Sequence, residues 1–254
     1  MLWWEARGEG PRNVLLLHGW GGAGSGHSWR QIQPHLPSSG WRVAAMDFRG
    51  CGRSAAPGAC GHSVEQCAED AVAVADAAGM GSFILAGFSM GGKVAQRVAS
   101  CHPDRVAGLF LMAPLALGPM PLTETLLQMW LRIAREQERF AEILGAMEQP
   151  PVAPEIMRDF YSDCLAAGED GLAGTFRMCA RDAGEQLLPA IRARTLVVGG
   201  ANDGLMPPAT IAERVAGRIR GAATVTLDAG HQMTLTRGAQ LAELLRGFVD
   251  EGGR

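Results

Sequence analysis

The sequence predicts an α/β fold, a mostly parallel central sheet flanked by helices. Short apolar runs such as Val14-Leu15-Leu16-Leu17 and Phe83-Ile84-Leu85-Ala86 are continuous rather than alternating, the character of strands covered on both faces. They alternate with longer segments of helical spacing, and repeated β-α units run their strands parallel through right-handed crossovers. After Pro114 about seventy residues carry no such run, so a helical insertion interrupts the alternation.

In chain order, Leu2-Trp3-Trp4 belongs to an edge strand, and Gly8-Glu9-Gly10-Pro11 turns it into the run that ends at Leu17. His18-Gly19-Trp20-Gly21-Gly22-Ala23-Gly24 follows, a loop whose glycines let its backbone come close to something. Arg42 to Met46 is the next strand. In the turn beyond it, Asp47 and Arg49 are expected to tie the chain together while Gly50 and Gly52 supply positive φ angles. Ser63-Val64-Glu65-Gln66 has the form of a capping box, opening a helix that reaches about Ala78. Phe83 to Ala86 then leads into Gly87-Phe88-Ser89-Met90-Gly91-Gly92, and the alanine-rich segment from Lys93 leads out, with Lys93 expected on the helix surface.

Val106 to Met112 is another strand. In the insertion, Leu122, Leu126, Trp130, Ile133, Phe140, Leu144 and Met147 recur at helical spacing until Pro150-Pro151, and Ile156 to Leu165 and Leu172 to Cys179 form further helices. Met120, Met129, Met147, Met157 and Met178 suit a lid over an apolar pocket. The alternation resumes with strand Thr195 to Val198, a helix from Pro208 to Arg218, strand Ala223 to Leu227 and a last helix from about Ala239 to Asp250.

Composition narrows the function. At 254 residues the chain is long enough for one large α/β domain with an insertion. A net charge of -3 with scattered Lys and Arg lacks the footprint of a nucleic-acid binder, so the expected partner is a small-molecule substrate. No basic region precedes a long apolar segment, and about 18 apolar residues never run together, so a soluble, cytoplasmic protein without a membrane partner is expected. The six cysteines form no C-x-x-C pair, so reduced thiols and no metal site are expected. Oligomeric state is not legible.

Ser89, Asp203, His231 and the loop after His18 each follow a strand, and in an open parallel sheet those carboxyl ends share one edge, where ligands bind. A serine hydroxyl becomes a nucleophile when an imidazole takes its proton, and the imidazole needs a carboxylate to hold its tautomer. Ser89, His231 and Asp203 fill those roles. Asp228 stands only three residues before His231 and would have to fold back on itself, so Asp203, on a separate loop, is the expected partner. His27, His35, His62 and His102 fall in loops or at helix ends as surface or capping residues, and His18 is expected to shape the loop.

Together these residues resemble the α/β-hydrolase family across essentially the whole chain. The matching pieces are His18-Gly19-Trp20, Asp47-x-Arg49-Gly50-x-Gly52-x-Ser54, Gly87-x-Ser89-x-Gly91-Gly92, Gly199-x-x-x-Asp203 and Gly230-His231, in the family's order. The resemblance implies an α/β-hydrolase fold whose core spans 1–115 and 186–254, with a helical cap over 116–185. It also implies an oxyanion hole from the backbone N–H groups of Trp20 and Met90. The expected reaction is cofactor-free hydrolysis of small to medium, largely apolar carboxylic esters through an acyl-enzyme. The serine turn is similar as well to those of cofactor-free perhydrolases, carbon–carbon bond hydrolases and an elimination-type lyase. Some members of the fold are ligand-binding receptors, and these alternatives stay open at this point.

Overall fold

The computed structural model describes residues 1–21, 28–55, 61–166 and 168–252. Gly22 to His27, on the glycine-rich loop, and Cys60 therefore lie outside the described residues, as does the Met147 side chain. Seven described strands form one sheet: β1 (Trp4–Arg7), β2 (Glu9–Leu17), β3 (Ser39–Met46), β4 (Phe83–Phe88), β5 (Val106–Met112), β6 (Arg194–Gly200) and β7 (Ala223–Leu227). Their order is β1-β3-β2-β4-β5-β6-β7, and only β1, at the edge, is antiparallel to its neighbour.

The strands are apolar on both sides because both sides are covered. Leu15, Leu17, Leu85, Leu109, Leu111 and Val197 face one core layer, with α1 (Val64–Ala77), α2 (Met90–Cys101) and α7 (Pro208–Arg214) packed on it. Val14, Leu16, Ile84, Ala86, Phe110, Met112 and Val198 face the other, closed by Trp29, Trp41 and the Leu241, Leu245 and Phe248 side of α9 (Gly238–Glu251). Period-two alternation thus sends successive residues of one apolar run into two different cores. The register pairs Leu17 with Gly87, Phe88 with Met112, Met112 with Val198, and Gly200 with Leu227. The loops after β2, β4, β6 and β7 consequently open along one edge.

Between β5 and β6 the chain makes α3 (Glu124–Ile133), α4 (Gln137–Met147), α5 (Pro154–Ala166) and α6 (Gly168–Arg181). Thr123 caps α3 by accepting from the Leu126 N–H at 3.2 Å. Ile133, Phe140, Leu144, Met157, Phe160 and Tyr161 give this insertion a small core of its own, with Leu235 of α8 (Met233–Thr236) packed into it. The insertion reaches the open edge of the sheet, where Trp130 and Phe176 meet Trp20 edge-to-face.

Three local expectations need correction. Lys93 is fully buried, not on the helix surface: its ammonium donates to the carbonyls of Gly118 at 2.5 Å and Cys179 at 2.7 Å, 4.0 Å from Asp182. Helical spacing could not show that the insertion's two stems cover this face of α2. Arg49 reaches away from its turn, gripping both oxygens of Asp70 on α1 at 2.7 and 2.8 Å. Asp47 does tie the turn, accepting from the Arg53 N–H at 2.8 Å, and a Cβ on Gly52 (φ +51°) would sit 2.4 Å from that carboxylate. His62 is no free surface group, for its ring packs between Gly50 and Gly174. Among the described residues no helix is long and apolar enough to cross a membrane.

Candidate active site

Ser89 stands between β4 and α2 with φ +50°, a left-handed conformation that non-glycine residues avoid and that persists only where the surroundings enforce it. The enforcement is visible in its neighbours. A Cβ on Gly87 would lie 2.5 Å from the Gly91 carbonyl oxygen, and one on Gly91 would lie 2.1 Å from that of Leu17. Strand and helix therefore approach closer than any side chain allows. The strain lifts the Ser89 hydroxyl above the sheet edge, with the N-terminus of α2 behind it.

The loop after β7 brings His231 to that hydroxyl: Nε2 is 2.8 Å from Ser89 Oγ, and Nδ1 is 2.8 Å from Asp203 Oδ2. Asp203, on the loop after β6, is itself aimed by the N–H groups of Leu205 and Met206, which donate to its Oδ1 at 2.9 and 2.8 Å. Burial alone would raise the Asp203 carboxyl. The His231 hydrogen bond and charge, with the two backbone donors, outweigh it and hold the group below the usual carboxylate range. Asp203 is thus the anion that fixes the proton on His231 Nδ1 and leaves Nε2 free to accept from Ser89. Asp228, the nearer acid in sequence, is exposed and bonds to Asn202 and Arg237 instead.

His18 is buried beside this chain without joining it. Its Nε2 accepts from the Phe48 N–H at 3.0 Å, so the proton sits on Nδ1 and is donated to the Gly19 carbonyl at 2.8 Å. Burial pushes its pKa down and keeps the ring neutral. Its role is to clamp the start of the glycine-rich loop to the end of β3.

A pocket of about 110 Å³ opens at Ser89 and His231, lined by Trp20, Leu115, Leu122, Leu126, Trp130 and Phe176, with Leu205 at its rim. Larger surface hollows lie elsewhere, but Ser89 and His231 line none of them. The expected methionine-rich lid is corrected here. Met120, Met157 and Met178 are packed into apolar cores and Met129 is exposed, while leucine and aromatic side chains make the wall. Trp20 is held by its indole N–H, which donates to the Leu172 carbonyl at 3.0 Å. Met90 opens α2, where a backbone N–H has no acceptor within the helix.

One residue at the site gave no sequence signal. Glu148, after α4, is only 2% exposed, and its Oε1 accepts from the Gln232 N–H at 2.9 Å. Burial raises its carboxyl to about 7. A lone acid before Gln149-Pro150-Pro151 reads as loop, and only tertiary contact reveals it.

A family model described as the alpha/beta hydrolase fold matches residues 12–142. The chain is similar to the pimeloyl-[acyl-carrier protein] methyl ester esterase of Neisseria meningitidis serogroup B, with 28% identity across 97% of this chain and 96% of that protein. It is 30% identical to the 2-hydroxymuconate semialdehyde hydrolase of Pseudomonas sp., over 94% of this chain and 87% of that one. Among solved structures, a thermophilic esterase from Thermogutta terrifontis superposes with a TM-score of 0.83 at 28% identity, covering 99% of this chain and 93% of that chain. The chain belongs to the α/β-hydrolase family and is an enzyme of that type.

Proposed function

We propose that the protein is a serine carboxylesterase acting on small, largely apolar esters, with Ser89 as nucleophile, His231 as general base and acid, and Asp203 as its orienting carboxylate. The observation that carries this is the pair of 2.8 Å contacts, Ser89 Oγ to His231 Nε2 and His231 Nδ1 to Asp203 Oδ2, at the mouth of an apolar pocket. Ser89 attacks the ester carbonyl while its proton moves to His231 Nε2. The oxyanion develops between the backbone N–H groups of Trp20 and Met90, each of which is worth about 10²–10³ in rate in enzymes that work this way. The alcohol leaves with the proton from His231, and a water repeats the sequence on the acyl-enzyme. Segment 116–185 acts as the cap that walls the acyl group from solvent.

Carbon–carbon bond hydrolysis is the second reading, favoured by the similarity to the 2-hydroxymuconate semialdehyde hydrolase. Among the described residues no lysine or arginine lines the pocket, which suits a neutral ester better than an anion. Lys93 does not alter that balance, because its ammonium is committed to Gly118 and Cys179. Turnover of a p-nitrophenyl series from acetate to decanoate by wild type and Ser89→Ala tests the proposal. Sustained turnover of the short esters, lost in the variant, is expected. A wild type inert toward all of them, or one that stops after a single turnover, would remove esterase from the lead.

A further inference from the structure

The loop that carries His231 is held from the insertion as much as from the core. The Gln232 N–H donates to Glu148 Oε1 at 2.9 Å, and the Gly230 N–H donates to the Gln149 carbonyl at 3.1 Å. Two consecutive residues of the insertion thus bind the backbone donors on either side of the histidine. The core ties lie further out, where the Asn202 N–H reaches the Ala229 carbonyl at 3.0 Å and Arg237 holds the Asp228 carbonyl. His231 makes its two side-chain contacts through opposite corners of the ring, so a shift of this short stretch changes both at once. Glu148 Oε2 is also buried and has no hydrogen-bond partner. A half-satisfied buried carboxyl is costly to a fold and calls for a reason other than stability.

We infer that Glu148 is a positioning residue for the reaction: by binding the Gln232 N–H it sets the His231 ring between Ser89 and Asp203, making a seated insertion a condition for a working acid–base chain. The inference rests on the reading of Ser89, His231 and Asp203 given under Proposed function. Glu148 touches no reacting atom and acts only through the histidine loop. The titratable groups that face it are His231 and Asp203.

The test is steady-state kinetics on p-nitrophenyl butyrate with Glu148→Ala, Glu148→Gln and Glu148→Asp, beside Ser89→Ala, with fluorophosphonate labelling of Ser89 and thermal unfolding of each protein. Glu148→Ala is expected to lower kcat by about 10–100-fold with KM within about twofold, and to slow labelling in proportion, as a misplacement of about an ångström does. Glu148→Gln keeps the accepting oxygen and is expected to restore most of kcat. Glu148→Asp keeps the carboxyl group but shortens the arm by one methylene, and is expected to lose kcat with KM unchanged. That variant carries the test if the alanine protein does not fold. Wild-type kcat in Glu148→Ala, or a kcat loss that glutamine does not rescue, would overturn the inference. Turnover surviving in Ser89→Ala would instead bring down the serine mechanism itself, whereas a dead Ser89→Ala beside a fully active Glu148→Ala sinks only the role of Glu148.

Discussion

The Lys93 ammonium and the Cys179 carbonyl meet at 2.7 Å, joining the helix behind Ser89 to the last helix of the insertion. Lys93 also holds Gly118 at the other stem, so one buried cation bridges both places where the insertion leaves and rejoins the core. Burial lowers its pKa, and the nearby Cys179 and Asp182 push the other way. Lys93→Met fills similar space but leaves the Gly118 and Cys179 carbonyls without their donor and takes away the cation 4.0 Å from the Asp182 carboxylate. Loss of about 3 kcal/mol of unfolding free energy is expected in urea titration. A variant as stable as wild type would show that the stems hold without the lysine.

Gly91→Ala opposes two effects. Alanine favours a helix over glycine by about 1 kcal/mol, but its Cβ would stand 2.1 Å from the Leu17 oxygen and 2.5 Å from that of His18. Backbone cannot yield as a side-chain tip does, so the clash wins. A net destabilisation of about 3 kcal/mol is expected, with loss of Ser89 labelling.

Asp203→Asn keeps the shape of the carboxylate and removes its charge, so the His231 tautomer is no longer fixed. A fall of about 10³–10⁴ in kcat is expected. Stability gives a second readout. The folded-state carboxyl lies below its ordinary value of 3.8, so its contribution is present above that value and is lost as pH falls through the folded-state pKa. The stability gap between wild type and variant should therefore narrow in strong acid and stay level at neutral pH.

Glu148 has the opposite sign. Its folded-state carboxyl is raised from 4.5 to about 7, so across that window the folded protein holds a proton that the unfolded chain has released. Stability contributed by the protonated form is present below 4.5 and declines as pH rises toward 7. Glu148→Gln should gain on wild type in melting temperature between pH 5 and pH 7, then run parallel to it. Parallel melting curves across the whole range would contradict the raised value.

Trp130 closes the far side of the pocket and stacks edge-on to Trp20 at 6.1 Å. Trp130→Ala is expected to shift the preferred p-nitrophenyl ester from short acyl chains toward octanoate while leaving kcat on acetate within about threefold. An unchanged chain-length profile would place the acyl group elsewhere.

The meeting of Ser89, Asp203 and His231 at the candidate site was legible in the sequence, because each follows a strand and a parallel sheet gathers those ends by topology. The glycines around Ser89 were legible for a related reason, since a close approach of backbone leaves its mark on the sequence itself. Lys93 was not, because a helical wheel shows which residues share a face but not which faces an insertion covers. Arg49 was misread for want of the same information, its partner Asp70 standing on a different element. Glu148 lay furthest from view: its effect on His231 passes through a hydrogen bond to main chain, between segments more than eighty residues apart, and no spacing rule reaches that far.

Two of the insertion's attachments, at Lys93 and at Glu148, differ in what they ask of it. Lys93 reads only peptide oxygens at Gly118 and Cys179, groups that nearly any sequence following the same path would offer. Glu148 is a side chain, and position 148 must supply an acceptor of the right length. A designer grafting a different pocket wall between β5 and β6 could therefore redraw most of the segment and still have the core grasp it, provided the graft carries its own equivalent of one glutamate.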